Sequence, residues 1–181
     1  QAPRKPVSMN HENIIALGAC VRSAAQSIRR AGYRVAAADC FADEDLLACG
    51  PACRVDPYPQ SLPEVALRLP PGPWLYTGAL ENHPELVERI ATQRELLGNP
   101  PEVLRAVRDP ALFREAIAAA GLAAPPVAAH PAEISDNQSW LLKPRDGTGG
   151  SGVRAWTPQA FAPGGAPDGG WSKWYLQRQV P

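Results

Sequence analysis

The sequence predicts an α/β protein, with a parallel α/β domain followed by an incomplete α+β subdomain. Two observations support this prediction. Up to residue 99, short apolar runs alternate with segments of helical periodicity, which is typical of parallel strands joined by helices. Beyond residue 126, apolar runs are separated by stretches rich in Gly and Pro, which indicates a second and different strand system.

The first domain is predicted to span residues 13–99, after a disordered lead-in at residues 1–12. The apolar runs at 14–18 and 74–78 end in glycine, and the helices at 22–31 and 84–96 carry their apolar residues on one face. Right-handed crossovers bring the carboxyl ends of the strands to one edge of the sheet. The predicted strands are 14–18, 33–39, 54–56 and 74–78, and the predicted helices are 22–31, 43–48, 62–69 and 84–96.

A helical linker is predicted over residues 100–126. The pattern favours helices at 101–107 and 110–120, with Asp109 as an N-cap and Pro110 at the first helical position. The second subdomain, residues 127–181, has predicted strands at 140–143, 153–156 and 174–180 and a surface loop at 157–170. Because its last strand reaches the end of the sequence without a partner, we expect this subdomain to be truncated.

The most informative segment is LLKPRDGTGGSGVR, between two of these strands. Lys143 lies on an apolar strand, and four glycines follow within six positions. Glycine lets backbone N–H groups approach an anion without hindrance from Cβ, and closely spaced N–H groups form an anion-binding concavity. The segment therefore predicts a phosphate-binding loop beside Lys143, formed by Gly147, Thr148, Gly149, Gly150, Ser151 and Gly152.

Two familiar phosphate fingerprints do not fit this loop. The spacing of its glycines matches G-x-G-x-x-G, but that fingerprint needs a helix at its third glycine, whereas an apolar strand follows here. A P-loop needs Lys and then Ser or Thr where Val153 and Arg154 stand. A glycine-rich hairpin without any ligand remains the structural alternative.

Composition excludes several classes of protein. The chain has 18 basic and 18 acidic side chains, which gives no bulk charge for binding nucleic acid. No apolar run approaches the length of a membrane span, and the start is polar, so we expect a cytoplasmic protein without a membrane partner. The four cysteines show neither disulfide nor zinc spacing and are expected to be reduced, mostly buried thiols.

The order of these parts is similar to a known superfamily. A small α/β domain, a helix ending in G-L-x-x-P, a strand with Lys-Pro, a glycine loop and an apolar strand bearing Gln-Arg resemble the ATP-grasp proteins. The resemblance covers the pre-ATP-grasp domain and the first half of the grasp. The strings GACVRSAAQSIRRAGYRVAAADCFAD, YTGALENHPELV and LLGNPPEVLRAVRDP more narrowly resemble predicted carboligases distantly related to biotin carboxylase and linked to pterin and one-carbon metabolism.

This resemblance implies a set of ATP contacts. Lys143 would contact the α and β phosphates, and the glycine loop would cover the β and γ phosphates as a mobile lid. Gln177 stands in the place of an adenine-binding acidic residue, and the backbone of Arg178 and Val180 would pair with the adenine edge. Many relatives carry a phosphate-binding lysine where this chain has Pro110, and Arg108 is the candidate substitute.

The resemblance also implies a reaction. It is an ATP-dependent joining of a small carboxylate to an amine through an acyl phosphate, with Mg²⁺. The catalytic residues and the Mg²⁺ ligands are expected beyond Pro181, so the chain would hold no metal site and would be inactive alone. A homodimer of the full-length protein is possible. The alternatives are a nucleotide-binding module without catalysis and an NAD(P)-dependent oxidoreductase, which is disfavoured because Ala19 and Cys20 follow Gly18 without a second glycine.

Substrate specificity is predicted to lie in the first domain. Ligands of open parallel sheets bind beyond the carboxyl ends of the strands. One loop there supplies Gly18, Arg22 and Ser23, and another supplies Glu81, Asn82 and His83. A solvated arginine at a helix start and an ordinary polar capping loop are the respective structural alternatives.

Overall fold

The computed structural model describes residues 13–135, 137–157 and 165–180. The chain divides into two compact units, residues 1–101 and residues 102–181. The predicted disordered lead-in lies outside the described residues, as does the middle of the predicted loop at 157–170. The boundaries given above to the domains and the linker stay predictions.

The first unit contains a parallel sheet of four strands in the order β3-β2-β1-β4. The strands are β1 (Asn13–Leu17), β2 (Arg34–Asp39), β3 (Ala52–Arg54) and β4 (Trp74–Tyr76). β3 lies two residues earlier than predicted. Pro51 and Val55 bound its pairing with β2, and Pro57, which has no N–H to donate, follows soon after.

Four helices connect these strands or follow them. They are α1 (Arg22–Arg30), α2 (Glu44–Leu47), α3 (Leu62–Arg68) and α4 (Pro84–Ala91). The predicted end of α4 at Leu96 is wrong. The N–H of Trp74 donates to the carbonyl of Glu95 over 2.8 Å, and the N–H of Leu97 donates to the carbonyl of Trp74 over 2.7 Å. The chain therefore leaves the helix to extend the edge of the sheet beside β4.

The core of the first unit explains the apolar character of its strands. β1 and β2 are buried on both faces, as expected for parallel strands covered by helices. Val21, Ala25 and Ile28 of the α1 region pack on the face formed by Ile14 and Ala16 of β1. None of the four cysteines is fully buried: Cys20 is exposed and the other three are half-buried, with Cys49 packed against this core, so the expectation of mostly buried thiols is wrong.

The second unit contains an antiparallel sheet in the order β5-β8-β6-β7. Its elements are α5 (Pro101–Arg108), α6 (Pro110–Ala119), β5 (Val127–Ala128), β6 (Trp140–Pro144), β7 (Arg154–Ala155) and β8 (Trp174–Arg178). The predicted cap of α6 is confirmed, because the carboxylate of Asp109 accepts the N–H groups of Ala111 and Leu112 at 2.9 and 3.1 Å.

Alternation along β6 and β8 separates a core face from an open face. Trp140, Leu142 and Leu176 are buried with Ala128 and form the core of the second unit. Residues between them point to the other face of the sheet, because side chains alternate along a strand. That other face carries Lys143 and Gln177. No described helix of either unit is long and apolar enough to cross a membrane.

Candidate functional site

The open face of the second sheet brings a lysine and a glutamine together. Lys143 of β6 is paired in register with Tyr175 of β8, and Gln177 is two residues further along β8 on the same face. The ammonium of Lys143 donates a hydrogen bond of 2.8 Å to Oε1 of Gln177. The sequence-predicted phosphate and adenine residues are therefore direct neighbours.

The aromatic ring of Tyr175 supports two cations at this place. Nζ of Lys143 lies 5.6 Å from the centre of the ring, and Cζ of Arg145 lies 5.9 Å from it. Cation–π contacts of this length are attractive because the face of the ring is electron-rich. They hold positive charge beside the glycine loop without neutralising it.

The glycine loop presents open backbone N–H groups. Gly149, Gly150 and Gly152 have φ values of 57°, 80° and 75°, which disfavour residues with a Cβ. Two turns, closed by bonds from Ser151 to Thr148 and from Val153 to Gly150, shape the loop. Within the described part of the chain, four N–H groups of the loop have no acceptor, those of Thr148, Gly149, Gly150 and Gly152.

A cavity of about 730 Å³ lies between this loop, β6, β8 and α6. Its described lining includes four cationic side chains, Arg108, Arg114, Lys143 and Arg145, and no carboxylate. Gln177, Tyr175 and Phe113 line it as well. A concave surface lined by positive charge concentrates anions, and backbone N–H groups add hydrogen-bond donors for the oxygens of those anions. The cavity therefore suits a polyphosphate.

Arg108 has a different role from a free phosphate ligand. Its Nη2 donates to the carbonyl of Arg145 over 3.1 Å and to the carbonyl of Gly147 over 2.7 Å. The side chain thus ties the carboxyl end of α5 to the first residues of the glycine loop. Its charge still contributes to the potential of the cavity, but two of its directed hydrogen bonds are engaged.

The backbone predicted to pair with adenine is only partly open. The N–H of Arg178 donates to the carbonyl of Pro126 over 2.9 Å, because β8 is flanked by β5 and β6. Val180 lies beyond these pairings and is 64% exposed. Its N–H has no acceptor within the described residues, so it is the open donor at this end of β8.

The two loops predicted to hold substrate meet at the point where strand order reverses. β1 and β4 are neighbours, while the chain runs from β1 to β2 and β3 on the other side. Crevices at such switch points are the usual ligand sites of open α/β sheets. Gly18 lies at the end of β1 against Thr77, whose Oγ1 donates to the carbonyl of Cys20 over 3.0 Å.

Replacing Gly18 by Ala is expected to destabilise the first unit by about 1–3 kcal/mol, because overpacking displaces neighbours. A Cβ here would overlap Oγ1 of Thr77 and lie 3.2 Å from the backbone N of Thr77. Gly78→Ala is the matched control, since a Cβ there meets nothing within 4 Å. Hydrogen exchange of the β1 and β4 amides measures the effect, and equal protection in both variants would contradict the packing described here.

Arg22 is engaged within the first unit. Its Nη1 lies 3.1 Å from the carboxylate of Asp43 and 3.4 Å from the carboxylate of Asp45. These two aspartates lie at the start of α2. A substrate carboxylate would have to compete with these two ion pairs. Ser23 is exposed in the first turn of α1 and remains available.

Glu81, Asn82 and His83 lie together after β4, in and next to a 3₁₀ turn that spans Leu80–Asn82. Nδ1 of His83 is 3.3 Å from the carboxylate of Glu85, and the side chain of His83 does not cap α4.

Two tyrosines feel the negative charge of Glu81. Burial first, and then this charge, raises the pKa of Tyr76. The pKa of Tyr58 is also raised, by burial first and then by Cys40 and Glu81.

Asp39 is an organising residue of this edge that the sequence did not single out. Its side chain is 1% exposed, and its carboxylate accepts the N–H groups of Val21, Phe41 and Ala42 at 3.1, 2.9 and 2.8 Å. An Asp at the end of an apolar strand was the available signal. Because these bonds occupy the carboxylate, it is not free for the ribose contact of a dinucleotide site.

A metal ion in the described part of the chain would need several side chains that could bind it together. Among residues 13–135, 137–157 and 165–180, no three His, Cys, Asp or Glu side chains cluster so that they could hold a metal ion. The cavity of the second unit is lined there by cations. The described lining of the cavity therefore offers no carboxylate to a Mg²⁺ ion.

Comparison with solved structures identifies the architecture. No protein-family model matches the chain, and no curated protein is significantly similar to it in sequence. N5-carboxyaminoimidazole synthetase of Staphylococcus aureus, complexed with ADP, superposes with a TM-score of 0.63 at 13% identity. The chain has the fold of a part of these biotin carboxylase-like ATP-grasp proteins.

Other ATP-grasp structures agree with this assignment. Pyruvate carboxylase of Rhizobium etli matches with a TM-score of 0.67 at 14% identity, over 92% of this chain and 18% of that chain. Glycinamide-RNase-transformylase T of Mycobacterium tuberculosis matches with a TM-score of 0.58 at 18% identity, over 93% of this chain. The chain spans 48% of that structure and also 48% of the synthetase.

The ATP-grasp fold confirms two predictions made from the sequence. The resemblance to biotin carboxylase-like ATP-grasp proteins holds at the level of the fold. The predicted fold class holds too, since a parallel α/β unit is followed by an antiparallel sheet that carries the glycine loop. At these identities the comparison establishes the fold, while the roles of individual residues depend on the geometry described above.

Proposed function

We propose that this chain supplies the nucleotide-binding half of an ATP-dependent carboxylate–amine ligase. The observation that carries the proposal is the cavity of the second unit, which combines four cations with the glycine loop and has no carboxylate in its described lining. A nucleoside triphosphate is the common metabolite that matches such a cavity in size and charge. The similar synthetase, whose structure contains ADP, supports the same ligand class.

Within the cavity, each part of the chain has a definite task in this proposal. The ammonium of Lys143 would leave Gln177 and turn to the phosphates, and the open N–H groups of the glycine loop would donate to their oxygens. The amide of Gln177 would then be free to accept from the amino group of adenine. The N–H of Val180 would bind the adenine edge. Tyr175 keeps Lys143 in place for this exchange.

The proposed reaction follows from the weak reactivity of carboxylates. An amine cannot expel an oxide from a carboxylate, so the acid first receives the terminal phosphoryl group of ATP. The acyl phosphate then reacts with the amine and releases phosphate. Bound Mg²⁺ would neutralise charge on the phosphates, through ligands outside the described residues. The lysine and the loop position and stabilise the transferring group, and the closed loop excludes water.

The first unit would select the acceptor substrate. Ser23 and the Glu81–His83 turn lie at the switch point, where small ligands of parallel sheets bind. The charge of Glu81 suits an amine, while Arg22, already paired with two aspartates, would bind a carboxylate only by exchanging partners. The substrate pair is therefore proposed as one small carboxylate and one small amine.

The experiment uses the complete protein with Mg-ATP, a panel of small carboxylates and a panel of small amines. A ligase of this type releases ADP only when a suitable carboxylate is present and forms product only with the amine. Carboxylate labelled with ¹⁸O should transfer one labelled oxygen to the phosphate released. ATP binding without ADP release in any mixture would instead favour a nucleotide-binding module.

A further inference from the structure

The cavity of the second unit contains two arginines that the sequence analysis did not assign. We propose that Arg145 and Arg114 bind the phosphate chain of the nucleotide, together with Lys143. This inference rests on the proposed nucleotide site and deepens it, because it names the residues that set the affinity for phosphate. It rests on the absence of an acidic partner for either arginine among the described residues, and not on the number of cations alone.

Arg145 is held at the cavity but is not neutralised there. Its backbone N–H donates to the carbonyl of Lys173 over 2.9 Å. This bond attaches the start of the glycine loop to the residue that precedes β8. Its guanidinium lies near the same ring of Tyr175 as the ammonium of Lys143. Within the described part of the chain, the guanidinium has no carboxylate partner.

Arg114 approaches the same cavity from α6. Its side chain is exposed and forms neither a hydrogen bond nor an ion pair with any residue that the structure describes. The next residue, Glu115, does not face Arg114, because adjacent residues of a helix point in different directions. The N-cap residue Asp109 is occupied by the N–H groups of Ala111 and Leu112. Arg114 is therefore a free cation on the wall that faces the sheet.

Three other arginines of the chain have guanidinium groups that bind carbonyls or a carboxylate of the protein itself. Arg94 donates to three backbone carbonyls, Arg89 pairs with Glu64 at 2.6 Å, and Arg108 binds two carbonyls of the glycine loop. These side chains have structural partners. Arg114 and Arg145 have none of this kind, although they share a concave surface with Lys143.

Several like charges at one cavity repel one another, and a multivalent anion removes that repulsion. A phosphate chain does so better than a single carboxylate, because it carries several charged oxygens at successive positions. Guanidinium groups bind such oxygens in pairs, whereas an ammonium acts as a point charge. Arg145 next to the loop and Arg114 on the opposite wall would therefore contact the phosphates from two sides.

The test compares Arg145→Ala, Arg114→Ala and the double variant of the complete protein with the wild type. Arg105→Ala, an exposed change on α5 outside the described cavity lining, is the control. Calorimetry with adenosine, ADP, ATP and inorganic tripolyphosphate separates base binding from phosphate binding. Each single change is expected to weaken ATP and tripolyphosphate by about tenfold or more, because a charge-assisted contact is lost. Adenosine affinity should stay unchanged, and Arg→Lys should restore part of the loss.

The outcomes separate this inference from the proposed function. If Lys143→Ala weakens ATP while both arginine variants bind like the wild type, the inference is overturned and the nucleotide site stands. If the wild type binds tripolyphosphate through the arginines but no adenine nucleotide, the two arginines are phosphate ligands, while the proposed function fails and with it their assignment to a nucleotide. Equal losses for adenosine and ATP would also overturn the inference, since they would indicate a structural effect.

Discussion

Asp39→Ala is expected to lower the free energy of unfolding of the first unit by about 3–5 kcal/mol, because it leaves three backbone N–H groups without their acceptor. The carboxylate is buried and accepts from Val21, Phe41 and Ala42. Val21 is the N-cap residue of α1, and its own side chain makes no capping hydrogen bond. Asp39 therefore acts as the cap of α1 from the neighbouring strand.

The measurement for Asp39 is native-state hydrogen exchange at the β1 and β2 amides, which reports the first unit separately from the second. Asp45→Ala is the matched control. It removes an exposed carboxylate that pairs with Arg22 at 3.4 Å and is expected to change stability by less than about 1 kcal/mol. Similar protection in the two variants would contradict the role assigned to Asp39.

Lys143→Ala is expected to weaken Mg-ATP binding by about 10- to 100-fold while leaving the fold intact. The change removes the ammonium that lies beside Gln177 and Tyr175 in the cavity. Its strand should persist, because the side chain points away from the core formed by Trp140 and Leu142. Solvent can reach Gln177 and replace the lost hydrogen bond.

Calorimetric titration of the complete protein with Mg-ATP measures this effect. Lys173→Ala is the control, because Lys173 is an exposed lysine of the same unit outside the described cavity lining. Circular dichroism checks that both variants are folded. Unchanged ATP affinity in Lys143→Ala would remove Lys143 and its loop from the nucleotide site.

The sequence predicted the elements whose signals are local. The glycines after Lys143, the apolar strand that carries Lys143 and the Asp109 cap each depend on neighbouring residues, and each is found where predicted. The order of strands and helices also follows from local periodicity. The fold class was therefore predictable from pattern alone, and the family resemblance added the ATP-grasp assignment.

Features that depend on distant contacts were not predictable in the same way. α4 ends early because Glu95 and Leu97 pair with Trp74, which is about twenty residues away in the chain. Asp39 is satisfied by N–H groups on two loops, and Arg108 binds carbonyls far along the sequence. The helical periodicity of the sequence continues past the end of α4 and does not indicate that Glu95 and Leu97 pair with Trp74. Substrate residues stay predictions for the same reason.

A crystal structure of the complete protein with a non-hydrolysable ATP analogue and Mg²⁺ tests most directly whether the cavity of the second unit binds the nucleotide. We expect phosphate oxygens within hydrogen-bonding distance of Nζ of Lys143 and of the N–H groups at Gly149 and Gly150. We also expect adenine beside Gln177 and Val180. A nucleotide bound elsewhere, with Lys143 still donating to Gln177, would contradict the assignment of this cavity to ATP.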